Sequence, residues 1–430
     1  VMNIMKHRAG RLAQASILSA AITCLPSWIS LIGSTMVADE PARLTIRLLD
    51  ENGATTPARA WVDVEGGRLF EPVAPDTVTP YDRDRSFSCD GVFTLELPAG
   101  SAVVHIEKGK EYLPVDLRID LQSGTTIEKT LQLERWIDMP SKGWYSGDLH
   151  VHLGQNDPRV LRQLALADDV HLIPAFTYWL GGGHEAWRGG WPDATYTDPI
   201  EVDPRHFITR NNVEVERIYK TALPGGSSGA VFLYNLNLPV TVPEHGTHFP
   251  TNAAISREAR THSPGVILDS DKPSWAETVV SAGLGVLDTI QVCHNHYQRD
   301  STSPGGWGMI GPLLTGESNA ASGDGLFHRT NDLYYRFLNC GFPLGVSGGS
   351  AIGVMSSPAG YSRVYARIDG PMTVDTFWES IKAGRSFATT GPMLNLTADG
   401  EGIGATVSRS STGTIPVKLE TTVRSIAPLE

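Results

Sequence analysis

Two histidines stand one residue apart in Gly147-Asp148-Leu149-His150-Val151-His152. On an extended strand residues i and i+2 share a face, so His150 and His152 present two imidazoles side by side. Neutral imidazole is a good ligand for zinc and related divalent metals. The next stretch, Leu153-Gly154-Gln155-Asn156-Asp157-Pro158, is turn chemistry, so the pair is expected where a strand gives way to a loop. A surface histidine pair in an ordinary strand has the same spelling, and so short a motif matches by chance.

The rest of the chain shifts that balance. His294 and His296, in Val292-Cys293-His294-Asn295-His296, repeat the geometry directly after a second strand-like run, Gly285–Val292. Two such pairs at strand ends are hard to explain as unrelated core histidines, and together they predict a metal site. Glu214 and Glu216 alternate within Val213–Ile218 and so point the same way. One can ligate or bridge, and the other can orient a ligand or pair with Arg217; an exposed strand face is the plainer alternative. Asp269 and Asp271 follow the apolar Val266-Ile267-Leu268. A carboxylate ending a buried strand must be paired, hydrated or metal-bound, or it caps the turn before Lys272-Pro273. Asp148 shares the face of His150 and is a candidate general base or orienting group. Arg385, before Thr389-Thr390-Gly391-Pro392, is a candidate to steady an anionic intermediate, with a structural ion pair as the alternative. His245 and His248 sit in a loop that either lines the site or is solvated. His184-Glu185 lacks the second histidine of a zinc-protease helix, and neither a dinucleotide or phosphate-binding glycine loop nor a Gly-x-Ser-x-Gly elbow occurs.

Several elements must position these groups. Residues 40–136 read as strands: Ala42–Leu49 and Val92–Leu97 alternate, Ala102–Glu107 is β-rich, and turn signals such as Asp50-Glu51-Asn52-Gly53 separate them. This predicts a small β-sandwich accessory domain. Asp138–Gly143 reads as a linker. From Trp144 to Pro392 strand-like runs (Val170–Ala175, Val213–Ile218, Gly265–Asp269, Gly285–Val292) alternate with helical ones (Arg159–Asp168, Ala253–Thr261, Asn331–Asn339). That alternation predicts an α/β barrel-like domain, in which chemistry sits at the C-terminal ends of strands. Residues 393–430 turn β-like again and read as the start of a further, truncated segment.

The composition bounds the partners. A net charge of -12 argues against nucleic acid or an anionic membrane surface. Residues 1–38 read as an export signal: Lys6, Arg8 and Arg11 precede an apolar stretch from Leu12 to Met36, broken by Pro26, and small residues up to Ala38 suit cleavage. The expectation is a periplasmic or secreted protein with no membrane attachment after cleavage and a small-molecule substrate. Cys24, Cys89, Cys293 and Cys340 are too widely spaced for a disulfide framework or a zinc knuckle.

Trp144-Tyr145-Ser146-Gly147-Asp148-Leu149-His150-Val151-His152 resembles the opening motif of the PHP superfamily (polymerase and histidinol phosphatase). More narrowly the chain resembles the CehA/McbA branch, the carbaryl-hydrolase-like metallohydrolases. The blocks carrying this are Cys89–Phe93 with Leu97–Gly100, Cys293–His296, Leu338–Phe342, Gly360–Tyr365 and Gly384–Pro392. The resemblance implies a distorted (β/α)7 barrel, a metal cluster at the strand ends, and hydrolysis of ester, carbamate or phosphoester bonds. It implies that His150, His152 and Glu214 or Glu216 are ligands. The chain departs from the superfamily at Gly349-Ser350-Ala351-Ile352-Gly353, where Gly-Ser-Asp-x-His is usual, and at Lys272-Pro273, where His-Pro is common. Lys272 is a candidate to bind an anionic substrate group or to be carbamylated, with a surface salt bridge as the alternative. The expectation is an exported hydrolase holding one or two Zn²⁺ or Mn²⁺ ions through His150, His152, Glu214, Glu216, Asp269, Asp271, His294 and His296. A metal-binding or carbohydrate-recognising protein without turnover is the rival.

Overall fold

The computed structural model describes residues 40–75, 77–153, 157–180, 187–189, 198–217, 229–238, 240, 250–299, 323–408, 410 and 413–428. The export-signal reading, His184-Glu185 and the His245/His248 loop lie outside the described residues.

Strands β1 (Ala42–Leu49), β2 (Ala58–Val64), β3 (Gly67–Leu69), β4 (Thr79–Tyr81), β5 (Ser86–Cys89), β6 (Val92–Leu97), β7 (Gly100–Glu107), β8 (Val115–Leu121) and β9 (Thr126–Gln132) come first. They form two sheets, β6-β1-β9 and β4-β5-β2-β7-β8, with β3 on the edge of β2. In β1 the period of two is plain: Ala42, Leu44, Ile46 and Leu48 are buried while Arg43 and Arg47 are exposed. Those inward residues join Phe87, Phe93, Val104 and Ile106 in one apolar core shared by both sheets. Phe87 and Phe93 meet edge to face, with ring centroids 4.9 Å apart. The stretch read as a linker is a tight turn, Pro140–Lys142, that ends on Gly143 in the left-handed region, φ 75°. A side chain there would meet the Ile368 carbonyl at 2.9 Å, so glycine is required.

The second half holds β10 (Trp144–Gly147), β11 (Leu172–Leu180), β12 (Trp187–Gly189), β13 (Ile200–Asp203), β14 (His206–Arg217), β15 (Gly229–Tyr234), β16 (Ile267–Ser270), β17 (Thr289–Cys293), β18 (Gly345–Gly348), β19 (Arg363–Arg367) and β20 (Ser386–Thr389). They make one mixed sheet in the order β18-β17-β16-β15-β14-β11-β10-β19-β20, with β12 on β11 and β13 on β14. The sheet curls into a nearly closed barrel. The backbone N–H of Leu149, just past β10, bonds the Gly348 carbonyl of β18 at 3.0 Å. The Ser386 hydroxyl of β20 reaches the Val346 carbonyl of β18 at 3.0 Å. A small sheet of β21 (Met393–Ala398), β22 (Glu401–Gly402) and β23 (Leu419–Arg424) follows.

Helices Pro158–Ala167, Asn252–His262, Ala276–Gly283, Gly323–Asn339 and Val374–Lys382 separate several of these strands. The first begins one residue before the helical run read at Arg159–Asp168: Asp157 accepts the Arg159 N–H as N-cap, and Pro158 takes the first turn, where its missing N–H costs nothing. Strand–helix alternation is not uniform, however. The described residues between β11 and β14 hold two short antiparallel strands, and β15 runs antiparallel to both its neighbours. Strands β10, β11, β14, β16, β17 and β18 still point one way, because the parallel pairs β10–β11, β11–β14, β16–β17 and β17–β18 flank the single reversed strand. Whatever follows these strands therefore gathers at one end of the barrel.

Candidate metal centre

The backbone past β10 stays extended, so alternate side chains part company. Leu149 and Val151 are fully buried, each packed into an apolar core cluster. His150 and His152 face the mouth of the barrel, and both are almost wholly buried. Glu214 of β14 meets them there. Its Oε2 lies 3.0 Å from His152 Nε2 and 3.7 Å from His150 Nε2, and the two ring nitrogens lie 3.1 Å apart. Ligands about 2.0–2.1 Å from a tetrahedral ion stand roughly 3.4 Å from one another. The spacing of this triad matches that requirement.

Hydrogen-bond accounting leaves one atom of the triad itself unmet, Oε2 of Glu214, together with the outward faces of the two rings. Nδ1 of His150, Nδ1 of His152, Oε2 of Glu214 and Oδ1 of Asp271 are buried with no hydrogen-bond partner. Buried polar atoms are normally satisfied, and each orphan costs about 1–3 kcal/mol. Burial opposes ionisation of Glu214, yet the two imidazoles hold its pKa below the usual carboxylate value. Burial pushes His152 down. It would push His150 down too, but Glu214 and Asp271 beside it turn the net shift upward. A buried anion facing two nitrogens is the charge pattern a divalent cation neutralises.

The surroundings lock these rings. Phe232 packs edge-on against His150 at 4.7 Å between centroids, and Trp179 lies 4.4 Å from His152. Gly349 is a close approach: a Cβ there would stand 2.4 Å from His150 Cβ. The Leu149 carbonyl accepts from the Tyr234 hydroxyl and, at 3.1 Å, from Gln291 Nε2.

The other sequence-predicted residues divide. Asp271 follows β16 on the far side of the His150 ring: its Oδ1 faces Nδ1 at 3.7 Å, away from the Nε2 that meets Glu214. Its Oδ2 takes the Lys272 ammonium and the Trp275 indole N–H at 2.9 Å. Asp271 thus lies behind the His150 ring, held by Lys272 and Trp275, rather than joining the triad. Lys272 is buried, not on the surface, and lies 5.1 Å over the Trp275 ring. Glu216 sits one strand repeat beyond Glu214 and accepts the Trp179 indole N–H at 3.1 Å.

Four expectations need correction. Asp269 points into the barrel core, where Ser347 Oγ (2.8 and 2.9 Å) and Gln291 Nε2 (3.2 Å) bond its carboxylate, and burial raises its pKa to about 7. It braces the network under Leu149 and is not a ligand of the triad. Asp148 is not free to act as a base. Its oxygens accept the backbone N–H groups of His150 (3.1 Å), Ser350 (2.9 Å) and Gly360 (2.6 Å) and the Ser350 hydroxyl. It clamps the strand end instead. His294 and His296 reach the same end of the barrel, and the Lys272 and His150 charges are felt at His294. Their ligand atoms do not join the triad: His294 Nε2 faces Thr330 Oγ1 at 3.3 Å, and Nδ1 accepts the His296 N–H at 3.3 Å. Arg385 is exposed and precedes β20 at the opposite end, since Ser386 pairs with Ala366 and Ala366 with Tyr145 near the start of β10. A strand's length separates it from His150.

The sequence reading missed a second cluster. Asp169, His171 and His206 also bring ligand atoms within 4.8 Å of one another, at the starts of β11 and β14. No short motif links them; only the pairing of β11 with β14 does. Here the positive charge is already in place. Arg135 Nη1 bonds Asp169 Oδ2 at 3.2 Å, and His206 pairs with Asp203 at 2.8 Å. The Ser146 N–H occupies His171 Nδ1 at 3.1 Å, and burial drives the His171 pKa down to about 3. Both buried groups could hold a metal by distance; Oε2 of Glu214 in the first and Nε2 of His206 in the second are buried without a hydrogen-bond partner.

No family model matches the chain, and no curated protein matches it either. Among solved structures, part of the Bacillus anthracis TIE protein superposes on 26% of this chain and 18% of its own length, at 20% identity and a TM-score of 0.17. A likeness that slight carries no argument about fold or activity.

Proposed function

We propose that this chain is a metal-dependent hydrolase of the PHP superfamily, in its CehA/McbA branch, acting on an ester, carbamate or phosphoester bond of a small molecule. The observation that carries this reading is the buried His150–His152–Glu214 triad at the C-terminal ends of the barrel strands, where two ring Nε2 atoms and Glu214 Oε2 converge within 3.7 Å of one another. The architecture supports it. Seven strands, β10, β11, β14, β15, β16, β17 and β18, run in sequence order around the barrel before Leu149 meets Gly348, with β15 reversed, and their number is that of a distorted (β/α)7 barrel. On this reading residues 40–136 are an accessory sandwich, residues 1–38 direct export, and the ion is Zn²⁺ or Mn²⁺.

His150, His152 and Glu214 would hold the ion, which supplies an activated water and a Lewis acid for the oxygen under attack. The protein does the rest. Asp271 lies behind the His150 ring, and Asp148 fixes the strand end that carries both histidines. Phe176, Phe232 and Trp179 form an apolar wall that excludes water and strengthens every charge interaction beside it. Lys272 brings an ammonium to the edge of the site, where it steadies developing negative charge.

One observation favours a metal-binding protein without turnover as the second reading. Ala351 is fully buried with φ 55° and offers no ligand where the superfamily carries aspartate. Elemental analysis of the purified chain, followed by a panel of p-nitrophenyl esters and phosphates, separates the two. Stoichiometric metal with turnover of a panel member supports the hydrolase. Stoichiometric metal with no turnover after Zn²⁺ or Mn²⁺ loading supports the binder, and a chain that holds no metal refutes both.

A further inference from the structure

A cavity of about 370 Å³ opens where the sandwich meets the loops after β18 and β20. None of the triad residues lines it. Four cationic side chains do: Arg59, Lys110, Arg299 and Arg363. Their counter-charges are fewer. Arg59 is shared among Glu107, Asp84 at 3.2 Å and Asp168 at 3.0 Å. Glu107 spends its other oxygen on Arg299 at 3.0 Å. Arg363, fully buried, bonds the backbone carbonyls of Gly360, Asp169 and Asp168 at 2.6–3.0 Å and, among the described residues, makes no ion pair. Lys110 lies 4.2 Å over the Tyr361 ring and, among the described residues, makes no ion pair. Three carboxylates thus face four cations.

Two unmet atoms sharpen the picture. Arg299 Nη1 is buried without an acceptor, its best approach being Asp84 Oδ1 at 3.8 Å. Asp168 Oδ2 is buried without a donor. Both atoms belong to residues that line the cavity, and they add an unpaired N–H donor and an unpaired carboxylate oxygen to its cationic wall. Burial, together with the guanidiniums of Arg363, Arg59 and Arg299, presses the Lys110 pKa down to about 7, the behaviour of an ammonium short of its anion.

We propose that this cavity binds hydrogen phosphate, with Lys110 and Arg299 holding its charged oxygens and Asp168 Oδ2 accepting its P–O–H. The carboxylate decides the class. A fully deprotonated oxyanion such as sulfate would meet Asp168 with no proton to share, whereas hydrogen phosphate keeps one at neutral pH. The site is separate from the metal centre and does not depend on the hydrolase reading.

Isothermal titration of the full chain with inorganic phosphate and with sulfate, at matched ionic strength, tests this. The expected result is one phosphate per chain, with sulfate weaker by about tenfold or more, the cost of leaving one buried acceptor unmet. Lys110→Met lowers phosphate affinity by a similar factor, and His150→Ala/His152→Ala binds phosphate as the parent does. Arg299→Gln serves as a second variant with the same expected loss. No phosphate binding overturns the proposal. So does phosphate binding that survives Lys110→Met and Arg299→Gln but is lost with the two histidines, which would put the anion at the metal. Sulfate binding as tightly as phosphate overturns the role of Asp168.

Discussion

Glu214→Gln changes the proposed centre at one point, replacing a carboxylate oxygen by an amide of the same size. The parent Glu214 lies 3.0 and 3.7 Å from the two ring nitrogens and is the one anion of the triad. Breaking a buried ionic contact by removing one partner costs about 3–5 kcal/mol. At 1.4 kcal/mol per tenfold, metal affinity should fall by roughly two to three and a half decades. The metal-free chain should lose stability as well. Without a cation Glu214 is held ionised by the two imidazoles, which keep its pKa below the usual carboxylate value, so the neutral amide forfeits that stabilisation. Competition against a chromophoric chelator measures the first effect, and urea unfolding with and without metal measures the second. The parent gains stability on metal loading, about 2.7 kcal/mol at a hundredfold excess over Kd, and the variant gains little. Parent and variant binding metal with equal affinity, or a parent whose unfolding ignores metal, would refute the assignment.

Three further outcomes follow from the same geometry. Gly349→Ala forces a methyl to within 2.4 Å of His150 Cβ, so it should destabilise the fold by about 1–3 kcal/mol and weaken metal binding; normal binding in a calorimetric titration would show that this strand contact does not position His150. Arg385→Ala, on an exposed side chain at the far end of the barrel, should change stability by no more than about 0.5 kcal/mol and leave metal content and turnover untouched. The third outcome concerns acid. His171 has a folded pKa of about 3 against an ordinary 6.5, so between those values the unfolded chain binds more protons and stability falls as pH drops. Its neutral form is fully in place above about pH 6.5. A His171→Gln variant that still folds should lose up to about 1.4 kcal/mol per pH unit of that acid dependence in urea titrations between pH 6 and 4, and an unchanged slope would count against the burial argument.

Much was legible along the chain because it is local. The alternation of Ala42, Leu44, Ile46 and Leu48 fixes the buried face of β1, since a strand's side chains alternate by geometry alone. The helical run at Arg159–Asp168 was legible to within a residue, while Asp157-Pro158, read as turn chemistry, caps its start. The i, i+2 spacing places His150 and His152 on one face before any partner is known. The glutamate pair was legible only as a pair. Which member faces the histidines depends on the register of β14 against β11, and a shift of two residues would put Glu216 where Glu214 stands.

Tertiary structure alone decided the rest. Asp148, Asp269 and Asp271 look interchangeable in sequence, each an acid beside a strand end. Asp148 is consumed by Ser350 and Gly360, more than two hundred residues away, and Asp269 by Gln291 and Ser347. Only Asp271 stands behind His150. The second histidine pair has the spelling of the first, yet Thr330 and its own backbone engage it. The Asp169–His171–His206 cluster and the cationic cavity at Lys110 arise from pairings between distant strands and loops, which no short window of sequence contains. Spacing along the polymer says which atoms can share a face. Whether a carboxylate there is a ligand, a brace or a clamp depends on which donors the fold brings to it, and a buried anion goes to whichever cation or N–H arrives.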